Sequence, residues 1–168
     1  YLFSLTPVDG TTYSFAVIGT DIAGNIDSAP PCSPLILADR TAPPVVTVVS
    51  WAEGAYSSTT TITANWTPVG TAADDQRVEI YENNATCSGA PAGTSTFTND
   101  NTTNSYNGFG SATDGNDYYF KVITIDDAGN ENTASTCSAA VKVDGTNPSD
   151  PITLAWNGGA NPSVSETV

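Results

Sequence analysis

The chain has 168 residues, four of them basic and eighteen acidic, with no His and no Met, for a formal charge of −14 at pH 7. That balance repels nucleic-acid phosphates and anionic membranes and makes divalent cations the natural counter-charges. Without His, the Ser-His and Cys-His nucleophile pairs are excluded, and no apolar run approaches the roughly 20 residues of a membrane-spanning helix.

Along the chain, the first periodic run is "TYSFAVIGT" (12–20), closed by the turn "DIAGN" (21–25). A Pro-stiffened stretch, "DRTAPP" (39–44), precedes seven short runs rich in Val, Ile, Thr and aromatics: "VVTVV" (45–49), "TTITANW" (60–66), "RVEIY" (77–81), "TSTFT" (94–98), "TNSYN" (103–107), "YYFKVITI" (118–125) and "CSAAVKV" (137–143). Gly, Pro, Asn and Asp separate them, and no stretch combines helical periodicity with caps. Seven strands in about 100 residues predict an all-β fold, a seven-stranded antiparallel β-sandwich. Alternation in the sixth run puts Tyr118, Phe120, Val122 and Thr124 on a core face, leaving Tyr119, Lys121 and Ile123 on a more exposed one.

A fixed offset aligns the two ends with the middle. Asp9-Gly10 matches Asp114-Gly115, Tyr13 and Phe15 match Tyr118 and Phe120, and Ala23-Gly24-Asn25 matches Ala128-Gly129-Asn130. Cys32, Asp39, Thr41 and Trp51 match Cys137, Asp144, Thr146 and Trp156, every pair 105 positions apart (114 less 9, 137 less 32) without a gap. Such a period predicts tandem modules. Residues 1–40 read as the C-terminal part of one repeat, 41–145 as a complete repeat and 146–168 as the N-terminal part of the next, so the chain reads as a window of something longer. The joints "DRTAPP" and "DGTNPSDP" read as short, stiff connections.

The stretches "ITANWTPV" (62–69), "VEIYENNATCSG" (78–89) and "DGNDYYFKVITIDDAGN" (114–130) resemble the fibronectin type III-like and related immunoglobulin-like modules of bacterial surface proteins. In that resemblance Trp66 is the core Trp of the second strand and Tyr118 the Tyr that opens the sixth. The resemblance spans the central repeat and both partial ones, and implies modules that space, display or bind. "SWAEGAYSS" (50–58) departs from it by separating the first two strands widely.

With two cysteines per repeat, Cys87 and Cys137 form the natural pair, although the 83–93 loop must then fold back along the sheet. Free buried thiols and a bond between chains are the alternatives. The turn "DDAGN" is fully explained as a turn, with Asp127 capping amides and Gly129 or Asn130 at positive φ. The resemblance also implies that this turn faces the joint carrying Asp39 and that the "GTAADDQ" loop lies at the same pole. Asp39, Asp74, Asp75, Asp126 and Asp127 are therefore candidate Ca2+ ligands. As carboxylate pairs for glycosidase chemistry, Asp126/Asp127 and Asp74/Asp75 lie in turns without an apolar pocket to raise one pKa and read as solvated loop acids, and no phosphate loop or zinc spacing is present, so no enzyme activity is expected. Lys121 and Lys142 are weak isopeptide candidates, and Asn65, Asn84 and Asn101 open glycosylation-type triplets. Scarce Lys and abundant Thr, Ser and Asn suit an extracellular or cell-surface location. The expected function is a structural repeat of an extracellular fibre or adhesin stalk, with neighbouring repeats as partners and self-association into filaments through exposed edges. The alternative is a carbohydrate- or protein-binding module using Trp51 and Trp156 as exposed platforms.

Overall fold

The longest strand is built by the run with the strictest alternation, Asp117–Ile125. A computed structural model describes residues 4–47, 49–70, 73, 75–100 and 102–149; Trp156 and Asp74 lie outside them. Strands run β1 Thr12–Tyr13, β2 Ile36–Leu37, β3 Val49–Trp51, β4 Tyr56–Ser57, β5 Ile62–Trp66, β6 Asp75–Glu82, β7 Gly93–Phe97, β8 Ser105–Phe109, β9 Asp117–Ile125, β10 Glu131–Asn132 and β11 Val141–Val143. The described residues are all-β, with no α-helix.

Three sheets result. β1 and β2 form a small antiparallel pair, and β3-β5-β8 a three-stranded sheet. The third sheet runs β4-β11-β9-β6-β7, with β10 also on β9. All pairings are antiparallel except that of β4 with β11, which is parallel. Trp51, Ile62, Ala64, Trp66 and Phe109 from the three-stranded sheet share one core with Val78, Ile80, Phe120, Val122 and Val141 from the larger one. Two sheets meeting over a common apolar layer are consistent with a β-sandwich.

Two departures from the expected strands have local causes. β3 begins at Val49, the last residue of the first of the seven runs, and stays with β5, while an additional strand within 50–58, β4, pairs with β11, and Gly54, at φ +77, turns the chain between them. A side chain at that φ is strained, so glycine fits the turn. The last run is shortened to β11 because Ser138 interrupts the ladder. Its backbone N–H donates to the Phe120 carbonyl (2.8 Å) while its side-chain hydroxyl accepts the Phe120 N–H (3.0 Å).

Tyr118, Phe120, Val122 and Thr124 are fully buried, as the alternation predicts. The opposite face is less exposed than expected: Ile123 and, across from Tyr119, Tyr81 are buried too. Arg77 stands opposite Ile123 in register and is held to Glu79 and Glu131, and Tyr81 donates to Glu79 and lies under Lys121. Long polar side chains thus lay their stems over this face while keeping their heads paired. Burial pushes the Glu79 carboxyl up, but the Tyr81 hydroxyl, Arg77 and Lys121 together hold it below its usual value.

The disulfide Cys87–Cys137 is formed, with Cα atoms 5.7 Å apart, and Cys87 is buried. It closes a separation of 50 residues, which in the chain-entropy view stabilises by about 4 kcal/mol.

Replacing Ser138 by Ala strands the Phe120 N–H inside the core; chemical denaturation is expected to show a loss of about 1–3 kcal/mol with an unchanged m-value. Replacing both Cys87 and Cys137 by Ser is expected to cost about 2–5 kcal/mol in the same measurement, without loss of the β circular-dichroism signal.

Candidate functional site at the 39–44 joint

Two prolines, Pro43 and Pro44, fix φ in the segment 39–44, and each leaves its own nitrogen without a proton. The backbone carbonyls of this segment remain as acceptors, and three side chains of the β9–β10 hairpin use them. Thr124 donates its hydroxyl to the Pro44 carbonyl (2.8 Å), Asn132 its amide to the Pro43 carbonyl (2.6 Å), and Asn130 its amide to the Asp39 carbonyl (3.1 Å). The hairpin positions all three because its register sets Asn132 beside Thr124 and Glu131 beside Ile125. Glu131 in turn takes both Arg77 nitrogens, at 2.7 and 2.9 Å, which ties the hairpin to β6.

The turn between β9 and β10 therefore faces the Asp39 segment, as expected from its sequence, but through an amide. Asp126 is consumed within the turn: its Oδ1 accepts the Asn130 N–H and its Oδ2 the Asn130 side-chain amide, both at 2.8 Å. Asn130 thus spends one amide proton on Asp126 and the other on the Asp39 carbonyl. Gly129, at φ +83, makes the turn possible. Asp39 caps the Thr41 N–H (3.0 Å), and Asp75, opposite Ile125 at the same end of the sheet, caps the Asn99 N–H (2.7 Å). Asp127 is exposed on the turn. Among the described residues no three His, Cys, Asp or Glu side chains are grouped so that they could hold a metal ion.

The 39–44 segment is also held by Asp9, which the sequence showed only as part of the self-match. Asp9 accepts the Arg40 N–H and the Thr41 hydroxyl, both at 2.7 Å. The same arrangement stands 105 positions on (114 less 9), where Asp114 accepts the Gly145 N–H and the Thr146 hydroxyl. The signal was present: Asp9 and Thr41 recur together as Asp114 and Thr146. The Thr41 hydroxyl and the Arg40 N–H hold the Asp9 carboxyl below its usual range, and Thr146 and Gly145 do the same for Asp114.

Trp51 is not a platform. It is 6% exposed, packs edge-on against Phe120 at 4.7 Å between ring centroids, and donates its indole N–H to the Ala139 carbonyl. An apolar ring at the centre of the core gains more from burial than a surface position offers. Trp66 is buried as well, its N–H on Gln76 (2.7 Å), whose own amide reaches the Asp100 and Thr103 carbonyls. Lys121 pairs with Glu79, and Lys142 donates to the Gly115 carbonyl.

A carboxyl whose folded pKa is lowered stabilises above its unfolded value of about 3.9 and loses that contribution as pH falls through the folded value. The bonds from Arg40 and Thr41 to Asp9 are therefore expected to hold from pH 7 down to about 4 and to loosen only below that. Backbone hydrogen exchange at Arg40 and Thr41 measures this, and Asp9→Asn should raise exchange there already at pH 7. No protein-family model matches this chain, and no curated protein matches it.

Proposed function

We propose that this chain is a segment of a tandem β-array in an extracellular fibre or adhesin stalk, whose units space or assemble and do not catalyse. The observation that carries the reading is that a whole set of hydrogen bonds recurs at the offset that aligns the sequence with itself. Val8 N–H to the Tyr13 hydroxyl recurs as Thr113 N–H to Tyr118. Phe15 N–H to the Ser33 hydroxyl recurs as Phe120 N–H to Ser138. The double capping of Asn25 by Asp21 recurs as that of Asn130 by Asp126. The register of Thr12 and Tyr13 on Leu37 and Ile36 recurs as that of Asp117 and Tyr118 on Lys142 and Val141. Tandem units of 105 residues, of fibronectin type III-like or immunoglobulin-like kind, account for all of these together.

A stalk must transmit length through its joints, and a joint that rotates freely shortens the array. The 39–44 segment has restricted dihedrals and is held by Asp9 on one side and by Thr124, Asn130 and Asn132 on the other. The disulfide is compatible with an extracellular setting. The net charge of −14 keeps such units soluble at high local density. Because Asp39, Asp75 and Asp126 already accept N–H donors, the stiffness proposed here comes from hydrogen bonds. Titration calorimetry with Ca2+ tests the cation alternative: saturable heat with a raised melting temperature would make the joint a metal site.

The decisive measurement is small-angle scattering on concatemers of residues 41–145. Each added unit is expected to lengthen the particle by at least about 30 Å, the span of the nine residues of β9 at about 3.3 Å each. Growth with the square root of copy number would sink the reading. Asn130→Ala combined with Thr124→Val should shorten the mean end-to-end distance while leaving the soluble β signal in place.

A further inference from the structure

The sheet formed by β1 and β2 presents an apolar face that is covered by nothing among the described residues. Leu5, Tyr13, Phe15, Val17 and Ile36 line an open groove of about 680 Å³. Phe15, Val17 and Ile36 are 66%, 75% and 65% exposed, whereas Phe120, Val122 and Val141, their counterparts 105 positions on (120 less 15), are each 0% exposed. Yet the backbone beneath is set in the same way in both places, by the same register, the same serine insertion and the same tyrosine hydroxyl. The groove wall thus has, while uncovered, the shape that it has elsewhere in this chain when covered.

What covers the counterpart is on view in the same molecule. Trp51 packs on Phe120, Ile80 and Val78 lie beside Phe120 and Val122 in register, and Ile62, Trp66 and Phe109 complete the same core cluster, all contributed by residues 51–109. The free edge of β11 is taken by β4, with the Lys142 N–H donating to the Ala55 carbonyl; Leu37 is the matching position on β2. Cys137 is bonded to Cys87, while its counterpart Cys32 is an exposed free thiol. Three separate features, an apolar wall, a strand edge and a thiol, therefore show among the described residues none of the partners that one continuous stretch provides for their counterparts.

We propose that the β1–β2 face is a docking site for a polypeptide with the sequence character of residues 41–113 of this chain, bound in the register that 41–113 holds against β9 and β11, with its cysteine reaching Cys32. The proposal rests on the repeat reading above. A preformed wall lowers the ordering cost of such docking, and an uncovered apolar face of this kind marks an interaction surface. The covalent step balances as two thiols and one oxidised glutathione giving the Cys32–Cys87 disulfide and two reduced glutathiones.

The test is to titrate the 168-residue chain with a separate polypeptide of residues 41–113 in a glutathione redox buffer. Expected are a one-to-one complex, loss of hydrophobic-dye fluorescence, and a cross-link mapped by mass spectrometry to Cys32 and the added Cys87. Phe15→Asp should weaken the complex about a hundredfold by burying an unpaired charge, and Cys32→Ser should keep the complex without the cross-link. Equal yields of Cys32–Cys32 links, or indifference to Phe15→Asp, would overturn the proposal in favour of general adhesion. Self-association of the chain alone that the added polypeptide does not displace would overturn it in favour of a second whole copy.

If the separate polypeptide does not stay soluble, residues 41–105 fused ahead of Tyr1 provide the second arm. Cys32 should then become protected from alkylation and a second cooperative transition sensitive to Phe15→Asp should appear; a reactive Cys32 and an unaffected melt would overturn the proposal. The concatemer length measurement uses only residues 41–145, so failure of docking and failure of the stalk reading are told apart.

Discussion

The interaction on which residues 41–145 depend is the packing of Trp51 onto Phe120. Phe120 occupies the middle of β9, the strand flanked by β6, β11 and β10, and its ring lies where the two sheets meet. Trp51 covers it edge-on, and the indole N–H is carried to the Ala139 carbonyl, 88 residues along the chain. That one side chain therefore joins β3, β9 and the approach to β11. The neighbouring Ser138 completes the arrangement by taking the Phe120 N–H. Burial of the two rings supplies the apolar free energy, and the serine prevents the unpaired donor that burial would otherwise create. The consequence reaches the disulfide. Ser138 holds the chain against β9 at the level of Phe120, and the adjacent Cys137 is bonded to Cys87.

A second constraint is electrostatic. With eighteen acids against four bases, the chain cannot pair its carboxylates with cations of its own. The structure assigns many of them to backbone N–H groups: Asp9, Asp21, Asp39, Asp75, Asp100, Asp114 and Asp126 each accept at least one. A carboxylate that accepts amide protons remains charged and satisfied without a counter-ion. Three of the four basic groups tie strands together: Arg77 of β6 to Glu131 of β10, Lys121 of β9 to Glu79 of β6, and Lys142 of β11 to Asp117 of β9. Acidity here thus does structural work in turns and in the 39–41 and 144–146 segments, over and above keeping the surface wet.

Much of this was legible in the sequence, and the pattern of success has physical causes. β9 was readable because Tyr118, Phe120, Val122 and Thr124 alternate strictly and all point inward. The Cys87–Cys137 pair followed from counting cysteines along the self-match. β4 was not readable: "YSS" has no apolar alternation, and its placement comes from the parallel edge of β11. Trp51 was ambiguous because a Trp behind a strand can be a platform or a core ring, and its partners lie far along the chain. Gln76 gave no local signal, since a buried amide is placed by Trp66, Asp100 and Thr103 from elsewhere. The acidic turn was read correctly as to the segment it faces, but the groups that reach across are the Asn amides.

The parallel pairing of β4 with β11 has a mechanical meaning. β4 lies near the start of residues 41–145 and β11 near their end, and the two run in the same direction side by side. Tension applied at the two ends of this region draws those strands past one another lengthwise. The bonds from Lys142 to Ala55 and from Asp144 to Ser57 are then loaded simultaneously in shear, whereas a hairpin opened from its tip loses its bonds one after another. Rupture under load is governed by the barrier to this first slip. A region in which a strand near its start is bonded in this way to one at its end resists extension most strongly when it is pulled along those strands.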